Sequence, residues 1–164
     1  MKTKNTRLQN VLQWVGILLL IGQFVYTAMM WLLLPARIPA HYDLSNHVTR
    51  WGSRNELFIV PIITVGIYDF LTVLERMPAS WNFSIETNDR NRAYLHSAYR
   101  TILIISKLCV EVTFFIITIC MATAQIALIW LDCIPVAILL IFVAFYISHV
   151  SRKAKRLAHP YDND

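Results

Sequence analysis

The chain has 164 residues, 57% of them hydrophobic and only 15% charged, with a formal net charge of +5. A soluble domain carries nearer a quarter charged residues, so the composition excludes an ordinary soluble protein and points to an integral membrane one. The cations do not point to nucleic acid, because they flank apolar runs, where they meet anionic lipid headgroups.

The first apolar run, Trp14 to Leu34, holds no charged side chain. At about 1.5 Å rise per residue, roughly 20 residues cross a hydrocarbon core about 30 Å thick, so a span is expected over about 11–34. Lys2, Lys4 and Arg7 precede it, as they would a signal peptide. The run is longer than a signal core and ends in "MMWLLLP" without a small-x-small pattern, so it is expected to remain as a span.

The segment that follows, "PARIPAHYDLSNHVTRWGSRNE" at 35–56, is polar and specific. Pro35 and Pro39 fix φ and bias the residues before them toward extended backbone. They predict a stiff, non-helical exit that presents His41 at a defined place. Trp51 is an amphipathic ring of the kind enriched at membrane interfaces. Gly52 and Ser53 allow a turn before Arg54, Glu56 and the next span. A short loop anchored in helices at both ends is expected to pack as a cap.

His41, Asp43 and His47 have H-x-D-x3-H spacing, but zinc needs three or four ligands held by further hydrogen bonds. With no clear fourth ligand and no HExxH glutamate, the favoured reading is a histidine that orders the loop, with no metal and no cofactor. Ser45 and Ser53 lack a nucleophile elbow, so acyl transfer is disfavoured.

The second run, Leu57 to Leu74, predicts a span over about 57–75. The loop 76–100 contains an Asn82-Phe83-Ser84 sequon, discounted because it falls on the predicted inner side. From Ile102 to Val150 the apolar character hardly breaks, and 49 residues are too many for one crossing. Two spans are expected, about 101–123 and 133–151, with a turn within 122–134. The turn candidates are "ATAQ" at 122–125 and "LDCIP" at 131–135, where Asp132 needs water or a partner and Pro135 suits a first helical turn. Cys109, Cys120 and Cys133 form no CxxC and read as small apolar residues.

Orientation follows the cations. Eleven (Lys2, Lys4, Arg7, Arg76, Arg90, Arg92, Arg100, Arg152, Lys153, Lys155 and Arg156) fall on one side, against Arg37, Arg50 and Arg54 in the 35–56 loop. Both termini are expected to be cytoplasmic and the loop outside.

Three charges lie inside predicted spans: Asp69, Lys107 and Glu111. Such residues usually face a bundle interior and find partners. Lys107 and Glu111 are four apart and share a helix face. An Asp69–Lys107 pair with Glu111 above it is one expectation; a Lys107 that snorkels to the interface is the other. His149 is expected at the interface, and His96 and His159 in solvent.

Pro35, Ile38, Pro39, His41, Tyr42, Gly52 and Ser53 resemble the signature P-x-x-I-P-x-H-[FY]…G-S-K of the membrane-protein family known as domain of unknown function 1648. The chain departs from it at Asn46 (the family's Gly), Thr49 (its Asp) and Arg54 (its Lys). Pro78, Asn82, Phe83, Ile85, Asn91 and Tyr94 resemble a later segment, so that the likeness runs over about 30–120. The resemblance implies a small protein of a bacterial cytoplasmic membrane. It also implies kinship with SdpI-type immunity proteins, which protect a cell from a secreted peptide toxin.

The expectation is thus an all-α membrane protein of four transmembrane helices, with a structured outer loop between the first two. Its function is expected to be immunity, sensing or an accessory role, in which the loop (Pro35, Pro39, His41, Tyr42, Trp51, Gly52, Ser53 and Arg54) recognises a peptide toxin or another membrane protein. An ion- or proton-coupled transporter component using Asp69, Lys107 and Glu111 is the alternative. Neither reading involves nucleic acid.

Overall fold

The structure, a computed structural model, describes residues 4–43, 45, 47–77, 87–124 and 129–158. Four helices are long and apolar enough to cross a membrane. Helix α1 is Arg7–Leu33, α2 is Ile59–Arg76, α3 is Arg92–Thr123 and α4 is Ile129–Ala158. Between α1 and α2 lie two antiparallel strands, β1 (Arg37–Tyr42) and β2 (Val48–Ser53), and a single 3-10 turn, Arg54–Phe58. The expected fold class, four spanning helices with a structured segment after the first, is the one found.

Local chemistry sets the ends. Thr6 caps α1: its hydroxyl accepts from the Gln9 amide at 3.1 Å, and the Gln9 side chain accepts from the Thr6 amide at 2.9 Å. The helix stops at Leu34, extended at φ −78° and ψ 148° as its position before Pro35 requires. Ser53 caps the 3-10 turn in the same reciprocal way with Glu56. Asn91 begins α3; its buried side chain accepts from the Asn88 amide at 3.0 Å and donates to the Ala154 carbonyl at 3.3 Å, tying the loop to α4.

Helix α3 is the hub, packing against α1, α2 and α4. α1 and α3 run in the same direction: Gln9 meets Ser97 and Thr101, while Gln23 meets Phe114 and Thr118. Both described ends of the chain therefore lie at one end of the bundle, where Leu95 and Ala98 pack on Val150 and Ala154. At the other end Ile38, Leu57 and Ala122 form a second apolar cluster, flanked by Tyr26, Met30, Leu34 and Met121.

Burial is inverted relative to a soluble protein. Gln9, Gln23, Thr27, Thr64, Glu75, Lys107, Glu111 and Thr118 are buried, whereas Trp14, Leu18, Leu33, Phe70, Leu140 and Phe145 are exposed. Hydrocarbon accepts apolar side chains at no cost and offers polar ones nothing, so polar groups turn inward. This is the fold of a multi-pass membrane protein.

Two local expectations change. The turn candidate at 131–135 lies within α4, so the chain reverses between Thr123 and Ile129, and Pro135 sits inside a helix rather than in its first turn. α3 closes on Ala124 in the left-handed conformation, φ 54° and ψ 22°, which frees the chain to turn there. The sequon and His159 lie outside the described residues.

Leu57 is fully buried and joins the strands to the bundle. Leu57→Ala is expected to cost about 2–5 kcal/mol through the cavity it leaves. Thermal unfolding in detergent or lipid checks this; an unchanged midpoint would mean the hairpin is not packed on the helices.

Candidate functional site

The 35–56 segment is a β-hairpin rather than a loop. Its register pairs Arg37 with Ser53, Ile38 with Gly52, Pro39 with Trp51, His41 with Arg50 and Tyr42 with Val48. The register shifts after Pro39 and again after His41, so a bulge sits beside the proline, as expected for a residue with no N–H to give a ladder. Asp43 closes the tip, its carboxylate accepting from the amides of His47 at 2.8 Å and Ser45 at 2.9 Å. The His47 amide is the main reason the Asp43 carboxyl lies below its ordinary value, against a smaller desolvation that opposes it.

Arg54 fastens this hairpin to α1. Its guanidinium lies 4.5 Å from the Trp31 ring centre and donates to the carbonyls of Leu34 at 3.3 Å and Trp31 at 3.4 Å. These are carbonyls of the helix end, where a cation also meets the favourable end of the helix dipole. Trp31 Nε1 donates to Asn55 at 2.8 Å. Glu56 is the second fastening: it accepts from the Ser53 amide at 3.1 Å and from Arg50 at 2.7 Å. Gly52 is buried against this carboxylate, and a Cβ there would collide with it.

His41 and Trp51 are both exposed. His41 Nδ1 is 2.6 Å from the Thr49 hydroxyl, which in turn lies 3.3 Å from the His41 carbonyl. If the hydroxyl donates to that carbonyl, Nδ1–H donates to the hydroxyl and Nε2 is left as an acceptor. Thr49 occupies the place where the resemblance has Asp, so a neutral group holds this histidine. Tyr42 is half-buried, and its hydroxyl has no hydrogen-bond partner. Pro35 is exposed and Pro39 buried. Arg54, expected among the recognition residues, is held against the end of α1. His41, Asp43 and His47 form no group of metal ligands among the described residues.

Within the bundle the charges pair differently from the expectation. Asp69 does not meet Lys107; it is exposed on the outer face of α2. Lys107 is buried and donates to Glu75 at 2.7 Å, to Gln13 at 3.3 Å and to Thr72 at 3.3 Å, with the Tyr68 ring 4.9 Å away. Gln13 also donates to Glu75, and Arg100 lies 3.9 Å from it. Glu75 was missed because it falls at the edge of the expected span. Its helical phase was the available signal: Thr64, Tyr68, Thr72 and Glu75 recur every three or four residues, and Asp69 does not fall among them. Lys107 therefore does not snorkel. Glu111 is buried at 2% exposure, and neither carboxylate oxygen has a partner.

A multi-pass helical membrane protein with a pinned hairpin at one end and a buried polar lane along α3 is the class these features define. Residues 18–65 match the model of the family described as Domain of unknown function (DUF1648), the family whose signature Pro35, Ile38, Pro39, His41, Tyr42, Gly52 and Ser53 resemble. The match takes in most of α1, the whole hairpin and the start of α2, and ends before the later segment that begins at Pro78. No curated protein and no solved structure matches the chain.

Glu75→Gln is expected to break the 2.7 Å ion pair that holds Lys107 and to cost at most about 3–5 kcal/mol. Lys107→Met should cost less, because Glu75 keeps Gln13 and Arg100. The Glu75→Gln/Lys107→Met double change should lose less than the sum of the two, whereas Asp69→Asn and Lys107→Met should simply add. Thermal unfolding in lipid measures all five; coupling between 69 and 107 would contradict the pairing.

Proposed function

We propose that the hairpin is a recognition cap, and that the protein serves as an immunity, sensing or accessory-subunit protein that binds a peptide or another membrane protein. The observation that carries this reading is the fastening of the hairpin. Arg54 on the end of α1, the Ser53–Glu56 box and the Ile38–Leu57–Ala122 cluster hold one short segment at three points. A connector needs no such investment, while a binding surface gains from preorganisation. His41 and Trp51, presented outward on this fixed frame, are the contact residues, with Pro39 setting the bulge that aims His41.

Asp69 supports a membrane-protein partner. It is a short acid on the exposed, otherwise apolar face of α2, with Gly66 one turn away and open space around it. An acid in that position calls for a partner helix with a basic or amide group. A second reading, an ion- or proton-coupled component of the membrane, is favoured by Lys107 and Glu111 in the α3 lane.

With ten described cations at the end that holds both described ends of the chain, the reading places that end in the cytoplasm and the cap outside. In a background without Cys109, Cys120 and Cys133, Ser45→Cys is expected to react with an impermeant thiol reagent on intact bacterial cells, and Asp89→Cys to be protected. The reverse pattern sinks the cap as an outer receptor.

A photo-crosslinker at Trp51 in native membranes is expected to give one discrete adduct, lost on His41→Ala at unchanged abundance. An adduct that survives scrambling of residues 40–50 would make the hairpin a linker.

A further inference from the structure

Glu111 has no role in the recognition cap, yet it is buried with neither carboxylate oxygen hydrogen-bonded. It lies on α3 opposite Gly16, in the third turn of α1, where a Cβ would come within 3.0 Å of Oε2. Gly16 thus makes room for a carboxyl that no donor satisfies. A mispositioned surface acid would turn outward, but Glu111 is 2% exposed. An unpaired anion at such a place is far less stable than a neutral acid.

The charged and titratable groups around it are few. From α3 comes Lys107, four residues back on the same face, about 6 Å along the axis. From α2 come Tyr68 and Glu75, with Asp69 and Arg76 farther off. From α1 come Gly16, against Glu111, and Gln13, on Lys107, neither of them titratable. The stretch of α4 from Ile134 to Phe145 has no ionisable side chain. Arg100 of α3 also lies 3.9 Å from Glu75, so Lys107 is the ammonium placed between the two carboxyls, and it sits on Glu75 at 2.7 Å.

We propose that Glu111 is a proton-binding site inside the bundle, and that Lys107 is shared between Glu111 and Glu75. With Lys107 on Glu75, Glu111 is the neutral acid. When Lys107 swings one turn to Glu111, the O–H bond at Glu111 breaks and its proton goes to water. An O–H bond forms at Glu75 with a proton from water, and the three groups keep zero net charge throughout. Thr72 and Gln13, which hold Lys107 from α2 and α1, are the side chains it leaves. In use, the site rests on the proton-coupled reading and names the ion; as a binding site it stands without it.

Infrared spectroscopy of the full chain in phosphatidylcholine–phosphatidylglycerol vesicles tests this. The carbonyl stretch of a neutral carboxylic acid is expected near neutral pH in the parent protein and should be absent in Glu111→Gln. Glu75→Gln should also abolish it, since Lys107 then has only Glu111 to pair with. Lys107→Met should raise the band by less than twofold, because Glu75 loses its ammonium but keeps Arg100 3.9 Å away, which keeps the test decisive if Glu75→Gln does not fold. A parent spectrum that Glu111→Gln leaves unchanged, or a band indifferent to position 107, overturns the proposal. Proton flux into the same vesicles, followed with a trapped pH dye, judges the coupled reading separately. A band without flux upholds the site and removes transport; flux that persists without the band removes the site.

Discussion

Hydrocarbon supplies no hydrogen bonds, and most of this architecture follows from that. Backbone groups are satisfied by winding every crossing segment into a helix. Polar side chains must then find one another, and they converge on α3. Gln9 reaches Ser97 and Thr101, Gln23 reaches Thr118, and Lys107 gathers Glu75, Gln13 and Thr72. The outward faces of α1 and α4 are left to Leu, Ile, Phe and Trp. Helix association in lipid gains little from burying apolar surface, so close approach and polar contacts carry it. Gly16, Ala98 and Ala154 supply the first, and the α3 lane supplies the second.

The hairpin obeys a different solvent. Outside the hydrocarbon its backbone could be hydrated, and a two-stranded hairpin alone is marginal at best. It is held because its foot is anchored in the bundle. Arg54 meets the end of α1 at the Trp31 carbonyl left open by Pro35 and at the Leu34 carbonyl, and the Trp31 ring covers the guanidinium. Lys in that position would neutralise the same carbonyls but could not stack as a plane on the ring.

The spans were legible because their apolar residues come in blocks, which length alone interprets. Thr6-x-x-Gln9 and Ser53-x-x-Glu56 are capping boxes written plainly in the sequence, and the second would have revealed the role of Glu56. The charge pairing was misread because depth was used where phase decides. Asp69 and Lys107 could share a level, but Asp69 falls on the face of Ile62, Phe70 and Val73, turned away from α3. The strands were hidden because Pro39 and the bulge beside it break the alternation that marks a strand. Of the candidate site, the residues at 35–54 were legible as a group. Which of them fasten and which are presented is set by Trp31 and Leu57, contacts outside the segment.

The two ends of the polar lane differ in a way that bears on how Glu111 could exchange anything with water. Toward the termini it continues through Lys107, Gln13, Glu75 and Arg100 to Thr101, Ser97 and Gln9. Toward the hairpin it meets Gln23 and Thr118, already bonded to each other, then Tyr26 packed edge-on against Phe115 at 5.8 Å. Beyond them the Ile38–Leu57–Ala122 cluster closes the bundle with apolar side chains. A cluster of that kind gives water no hydrogen bond to hold it. The polar side chains of the lane thus continue toward the end that holds Gln9 and Ser97, and the apolar cluster at the other end is the one that seats the hairpin.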